Sequence, residues 1–207
     1  VLNFEHALKI TPDYAEAHSN LGLSLYDLGH LDDAITHYQM ALKLKPDFAD
    51  VHDRLGTSYK YLNQLNKAIT SYEQAISLDP NHFDAYSNLA NVLSELGQFD
   101  RAIKCYTKAL SINPGFAEAH SNLGVIFKEF GQFNLAIQHQ QRALEINPEF
   151  AEAHYNLGVV LKDVGQYHEA IRSYEQALAI DPEYFKAHIN LGVIFKEFGQ
   201  FNLAIQH

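Results

Sequence analysis

The sequence predicts an all-α solenoid of stacked, antiparallel helix pairs. Three observations carry that prediction. The six prolines, Pro12, Pro46, Pro80, Pro114, Pro148 and Pro182, all stand 34 residues apart. Three more series keep the same period: Ala34 through Ala204, Ala7 through Ala177, and Leu21 through Leu191. A fixed period of this size means repeated supersecondary units that bury their apolar faces on one another. Within one period the apolar residues step by three and four, as they do on a helix.

Residues 117–148 show each element in turn. Ala119, Leu123, Ile126, Phe127 and Phe130 form the stripe of a first helix, A. Gly131-Gln132 interrupts it, and the same place holds Gly29, Gly97, Gly165 and Gly199, with Asn63 in the second unit. These are the residue types that tolerate a left-handed backbone. Phe133, Ala136, Ile137, Ala143 and Leu144 begin a second stripe, helix B. Asn147-Pro148 ends it, because proline cannot continue a helix and restricts the residue before it. Each helix spans about 14 residues, roughly 21 Å. Gly22, Gly56, Gly124, Gly158 and Gly192 lie inside helix A, with Ala90 in the third unit. A helical glycine costs roughly 1 kcal/mol against alanine, so its recurrence predicts close A/B packing there. Tyr38, Tyr72, Tyr106 and Tyr174 are the large partners expected in that seam. Gln140 breaks the series and predicts a polar seam.

Composition narrows the function classes. The chain has 207 residues, is 47% hydrophobic and carries a net charge of −10, which is too apolar for a disordered chain. Its acidic balance argues against nucleic acid as a partner. No apolar run reaches the roughly 18 residues of a membrane span. Cys105 is the single cysteine, so no disulfide framework is possible within one chain. The lone cysteine and the lack of a leader point to the cytoplasm. No nucleotide-binding, nucleophile-elbow or zinc-protease motif is present, and the expectation is a non-enzymatic protein without cofactor or metal. Cys105 shares its phase with Asn3, His37, Ser71, His139, Ser173 and His207, a tolerant helix-B position. His18, His52, His120, His154 and His188 are also in phase. One histidine per layer cannot converge on an ion whose ligands must lie about 2.0–2.1 Å away, so packing is their expected role, with a shared pH response as the milder possibility.

The leucine–glycine pair, the phased alanines, the tyrosine and the proline at this spacing resemble the tetratricopeptide repeat (TPR) family. The resemblance covers the whole chain. It implies a right-handed superhelix with helix A on the concave face and helix B on the convex one. The expected divisions of this single array are a partial unit 1–14, full units 15–48, 49–82, 83–116, 117–150 and 151–184, and a partial unit 185–207.

Helix A also presents ladders on the face opposite its core stripe. Asparagine recurs at Asn20, Asn88, Asn122, Asn156 and Asn190, with Arg54 in the gap. Acids recur at Glu16, Asp50, Asp84, Glu118 and Glu152, followed by Lys186. Lysine recurs at Lys60, Lys128, Lys162 and Lys196. Asparagine is a poor helix former, but its amide both donates and accepts. A column of such amides can hold the backbone of an extended peptide, or it can fix the stacking of neighbouring helices; both readings stay open. Strings such as AHSNLGVIFKEFGQ (119–132) are similar to the TPR superhelix of the O-GlcNAc transferase family. That resemblance implies that Asn88, Asn122, Asn156 and Asn190 grip peptide backbone and that Asp50 and Asp84 meet ligand side chains. The residues before the ladder, Ser19, Asp53, Ser87, Ser121, Tyr155 and Ile189, lack the lysine of the chaperone-tail clamp.

The sequence therefore predicts a module that binds extended segments of partner proteins, with Asn20, Asn88, Asn122, Asn156, Asn190, Asp50, Asp84, Glu118, Lys128 and Lys162 as its contact residues. Two alternatives stand beside it: a self-associating scaffold, and the substrate-recruiting arm of a larger enzyme such as a glycosyltransferase. Residues 123–139 recur unchanged as 191–207, and the chain starts and stops inside a helix B. Those features predict a fragment whose unfinished ends dock head to tail on further copies.

Overall fold

A computed structural model describes residues 1–199, with only the backbone of Leu2, Asn3 and Glu5. Ala204, His207 and the rest of residues 200–207, the end of the second copy of the repeated stretch, lie outside the described residues. The described chain is all-helical, with twelve α-helices. The A helices are α2 (Ala15–Asp27), α4 (Ala49–Tyr61), α6 (Phe83–Glu95), α8 (Ala117–Glu129), α10 (Ala151–Asp163) and α12 (Phe185–Glu197). The B helices are α1 (Leu2–Ile10), α3 (Leu31–Leu44), α5 (Leu65–Leu78), α7 (Phe99–Ile112), α9 (Phe133–Ile146) and α11 (Tyr167–Ile180). The chain forms two compact units, the first Val1–Ile112 and the second beginning at Asn113. In each unit every helix packs on its neighbour in sequence, and A helices also touch the next A helix.

The turns follow from the residues expected there. Gly131 has φ +67° and Asn63 has φ +55°, so both occupy the left-handed region. The next N–H then reaches back over the helix end, Gln132 to the Phe127 carbonyl at 2.9 Å and Gln64 to Tyr59 at 2.8 Å. This closes A helices with a Schellman motif, which satisfies carbonyls the helix leaves unpaired. At the other turn, the residue before proline is extended, as at Asn147 with φ −130° and ψ 93°. Its side-chain oxygen accepts the Glu149 N–H at 3.1 Å, and Asp181 does the same for Glu183 at 3.0 Å.

The helical glycines have a direct cause. A Cβ on Gly56 would stand 2.7 Å from the Tyr72 ring, and one on Gly158 would stand 2.6 Å from Tyr174. Tyr38, Tyr72, Tyr106 and Tyr174 are all buried. The phased alanines seal the core around them: Ala34, Tyr38 and Ala41 pack with Val51 and Leu55 in the first unit. In the second, Ala170, Tyr174 and Ala177 pack with Ala187, Leu191 and Ile194. Gln140 makes the polar seam its sequence predicted. It is fully buried, its Oε1 accepts the Ser121 hydroxyl at 2.9 Å, and its Nε2 donates to the Ser121 carbonyl at 2.8 Å.

Candidate functional site

In the first unit the ladder runs over α2, α4 and α6. Asn20 is exposed. Arg54, which stands in an asparagine place, donates from Nη1 to the Ser19 hydroxyl at 3.2 Å. Asn88 donates from Nδ2 to Asp53 Oδ1 at 3.0 Å. Burial pushes the Asp53 carboxyl up, against the Asn88 bond and His82, which hold it down; Asp84 and Asp50 add to the rise. His82 caps α6 by accepting the Ala85 N–H on Nδ1 at 3.3 Å. Its Nε2 therefore carries the proton, and it faces Asp50 Oδ1 at 3.3 Å. Asp84 lies exposed in the first turn of α6.

In the second unit the ladder runs over α8, α10 and α12. Asn156 donates from Nδ2 to the Ser121 hydroxyl oxygen at 3.3 Å, so Ser121 joins the seam to the ladder. Asn190 donates to the Tyr155 hydroxyl at 3.3 Å, and its Oδ1 accepts Lys162 Nζ at 3.4 Å. Lys128 pairs with Glu129 at 2.9 Å. Asn122 is half-buried on α8, and Glu118 is exposed at its start. Lys128 and Asn156 share a cleft of about 120 Å³ with Val125, Gln140, Tyr155, Val159 and Val160. A wider cleft of about 410 Å³ lies off the ladder, among His52, Tyr59, Lys67 and Ser71 in the first unit. The smaller cleft is the candidate site, because there the phased polar column and buried polar groups meet.

Within each unit the structure thus uses the residue before a ladder place as the acceptor of the next ladder side chain. Ser19, Asp53, Ser121 and Tyr155 all take that role. The separation is 35 residues in every case. Sequence reasoning considered that column only as a missing clamp. The constant spacing, one residue longer than the repeat, was the available signal. Sequence reasoning also separated the histidine layers, whereas two pairs meet inside single units. His18 and His37 Nδ1 atoms lie 2.9 Å apart, and those of His120 and His139 lie 3.1 Å apart. Among the described residues no group of three or more His, Cys, Asp or Glu is placed to hold a metal ion. Burial pushes the Cys105 thiol up, away from the thiolate a nucleophile needs.

Three models of tetratricopeptide repeats match the sequence. One covers residues 15–48, 83–116 and 151–184, a second 56–97 and 126–165, and a third 105–138 and 173–206. Together they span most of the chain. The chain belongs to the tetratricopeptide repeat family. No curated protein matches it. Among solved structures it is similar to YrrB, a TPR protein with an unusual peptide-binding site, at 24% identity over 89% of this chain and 95% of that one, with a TM-score of 0.69. It is similar to MamA at 26% identity over 80% and 96%, with a TM-score of 0.69. It also shares its fold with pilF of Pseudomonas aeruginosa, at 18% identity over 93% and 87%, with a TM-score of 0.84. TPR arrays are protein–protein interaction modules, and this chain is one by family and by build. Among its described residues no helix is long and apolar enough to cross a membrane.

Proposed function

We propose that this TPR chain binds an extended segment of a partner protein along its helix-A faces, with the asparagine ladder holding the partner's backbone. The observation that carries this reading is the way Asn156 is held. One Nδ2 hydrogen is spent on Ser121, which fixes the amide plane. The second N–H and the Oδ1 remain for a ligand, and Asn156 lines the cleft beside Lys128. An amide fixed on one side is a preorganised donor–acceptor pair for a peptide group. The same logic holds for Asn88, fixed on Asp53. Stacking and gripping therefore use different atoms of one side chain. The acids Asp50 and Asp84 on the first unit favour basic side chains in the segment.

A peptide array tests this against the Asn88→Ala, Asn122→Ala, Asn156→Ala triple variant, with circular dichroism and the melting curve as folding controls. The expected outcome is uniform loss of every bound peptide by a variant that keeps its helical signal. Equal binding by both proteins assigns the ladder to stacking alone.

A further inference from the structure

The His120–His139 contact lies one residue from Ser121–Gln140 on the same two helices, α8 and α9. The Pro114 carbonyl acts on His120 as an acceptor that favours its protonated ring, in the place where His18 Nε2 bonds the Pro12 carbonyl at 3.0 Å and His154 Nε2 bonds that of Pro148 at 3.0 Å. A carbonyl only accepts, so His120 carries its proton on Nε2 and a lone pair on Nδ1. His139 must then donate from Nδ1, which leaves the lone pair of its Nε2 open. The His120 and His139 ring centres are 5.3 Å apart with the Nδ1 atoms at 3.1 Å. The nitrogens therefore lie between the rings and aim at one another. That direction suits a shared proton. A chelated ion would need both lone pairs turned toward a third point.

The consequence is an unequal capacity for two protons. A first proton enters at His139 Nε2 and leaves the Nδ1–H···Nδ1 bond intact. A second can enter only at His120 Nδ1, where it meets the His139 N–H head on, so the rings must part. The Phe127 ring lies against that of His139, with centres 5.3 Å apart. We propose that His120–His139 is a proton-operated latch on the α8/α9 seam, and that its opening in mild acid loosens the Ser121–Gln140 rung and with it the anchor of Asn156. The last step regulates the ladder site and so rests on the function proposed above.

The surroundings agree in sign. Burial pushes His120 down, with the Pro114 bond opposing it and Arg142 on α9 adding to the fall. Burial also pushes His139 down, and His120 adds to it. Beside burial, the groups acting on the two rings are Pro114, Arg142 and, for His139, His120 itself. Folded-state values below the unfolded value of about 6.5 mean that the unfolded chain binds the extra protons. This contribution to stability is full above that pH and is lost as the pH falls through it.

Long-range ¹H–¹⁵N spectra of the histidine rings, recorded on the whole chain from pH 8 to 4.5, test the latch without any peptide. The expected result is two linked steps more than about 1 pH unit apart, with His139 Nε2 protonated first. The variant His139→Ser adopts the residue found at the same place in Ser71 and Ser173, and it should remove the linkage and flatten the fall of Tm between pH 7.5 and 5.5. Ser173→His, facing His154, should steepen that fall. Independent titration of the two rings, with the same Tm profile in all three proteins, overturns the latch. Peptide affinity over the same range tests the coupling: the wild type should lose roughly fivefold or more where His139→Ser does not. Equal losses overturn the coupling, whereas no binding at any pH overturns the proposed function and leaves the ring titration to judge the latch.

Discussion

The two compact units use one helix pair and present different faces. In the first, two of the three buried tyrosines end on polar neighbours: the Tyr72 hydroxyl donates to Thr57 Oγ1 at 3.2 Å, and Tyr106 hydrogen-bonds Asn91, while Tyr38 has Leu23 at that place. In the second, the corresponding places are Val125, Val159 and Val193. The Tyr174 hydroxyl there is buried without a partner, and Gln140 turns back to Ser121 instead. The ladder contacts differ in the same way. Arg54 and Asp53 bring charge to the first unit's column, and the second unit's anchors, Ser121 and Tyr155, are neutral. Packing demands fix the seam in both units, and the face beyond it varies because only one or two side chains per turn reach it.

The largest effect that would break this comparison is removal of a seam ring. Tyr72→Ala and Tyr174→Ala should each cost about 3–5 kcal/mol in chemical denaturation, the scale of a buried aromatic lost from a close-packed core. A smaller loss in either unit would show that its seam collapses into the gap. Next come the glycines. Gly158→Ala should cost about 1–3 kcal/mol, since its Cβ would strike the rigid Tyr174 ring. Gly124→Ala should cost a similar amount by another route, because its Cβ meets the Gln140 amide at 2.6 Å and the Ala136 carbonyl at 3.1 Å, and turning the buried amide aside gives up its Ser121 bonds. A clearly smaller loss would mean that Gln140 repacks with those bonds intact.

Hydroxyl deletion sharpens the contrast through its sign. Tyr72→Phe gives up a hydrogen bond and should destabilise by about 1 kcal/mol, and Tyr174→Phe removes an orphaned donor and should stabilise by a similar amount. Loss in both variants would place an unseen acceptor beside Tyr174. The smallest effect is electrostatic. The Asp53 carboxyl is raised in the fold by burial. Its contribution is therefore present below the unfolded value of about 3.9 and lost as the pH rises through the folded one. Asp53→Asn should remove that loss and raise Tm at pH 7 while keeping an acceptor for Asn88. An unchanged melting profile from pH 3 to 7 would show that the carboxylate is solvated.

The candidate site was only half legible. The columns Asn88, Asn156 and Asn190 were visible because the repeat places them in phase, and their position on the helix-A face follows from 3.6 residues per turn. Their anchors were hidden because each bond joins residues 35 apart on different helices, which no single-helix pattern contains. The sequence also posed grip and stacking as rivals; in the structure Asn88 and Asn156 each give one amide hydrogen to stacking, and Asn190 spends its Oδ1 on Lys162 as well.

The repeat by itself determined the fold class, the helix pairs, the glycine and asparagine turns, and the polar seam at Gln140. Those features are local or periodic, and a chain that repeats every 34 residues has only nearest-neighbour packing to satisfy. Only the tertiary structure decided which polar atoms meet across helices: Asn156 on Ser121, Asn88 on a buried Asp53, His120 on His139, and Tyr174 on nothing. Such pairings depend on ångström-scale approach between side chains on separate helices, and a periodic sequence sets which residues face each other without setting how closely they come.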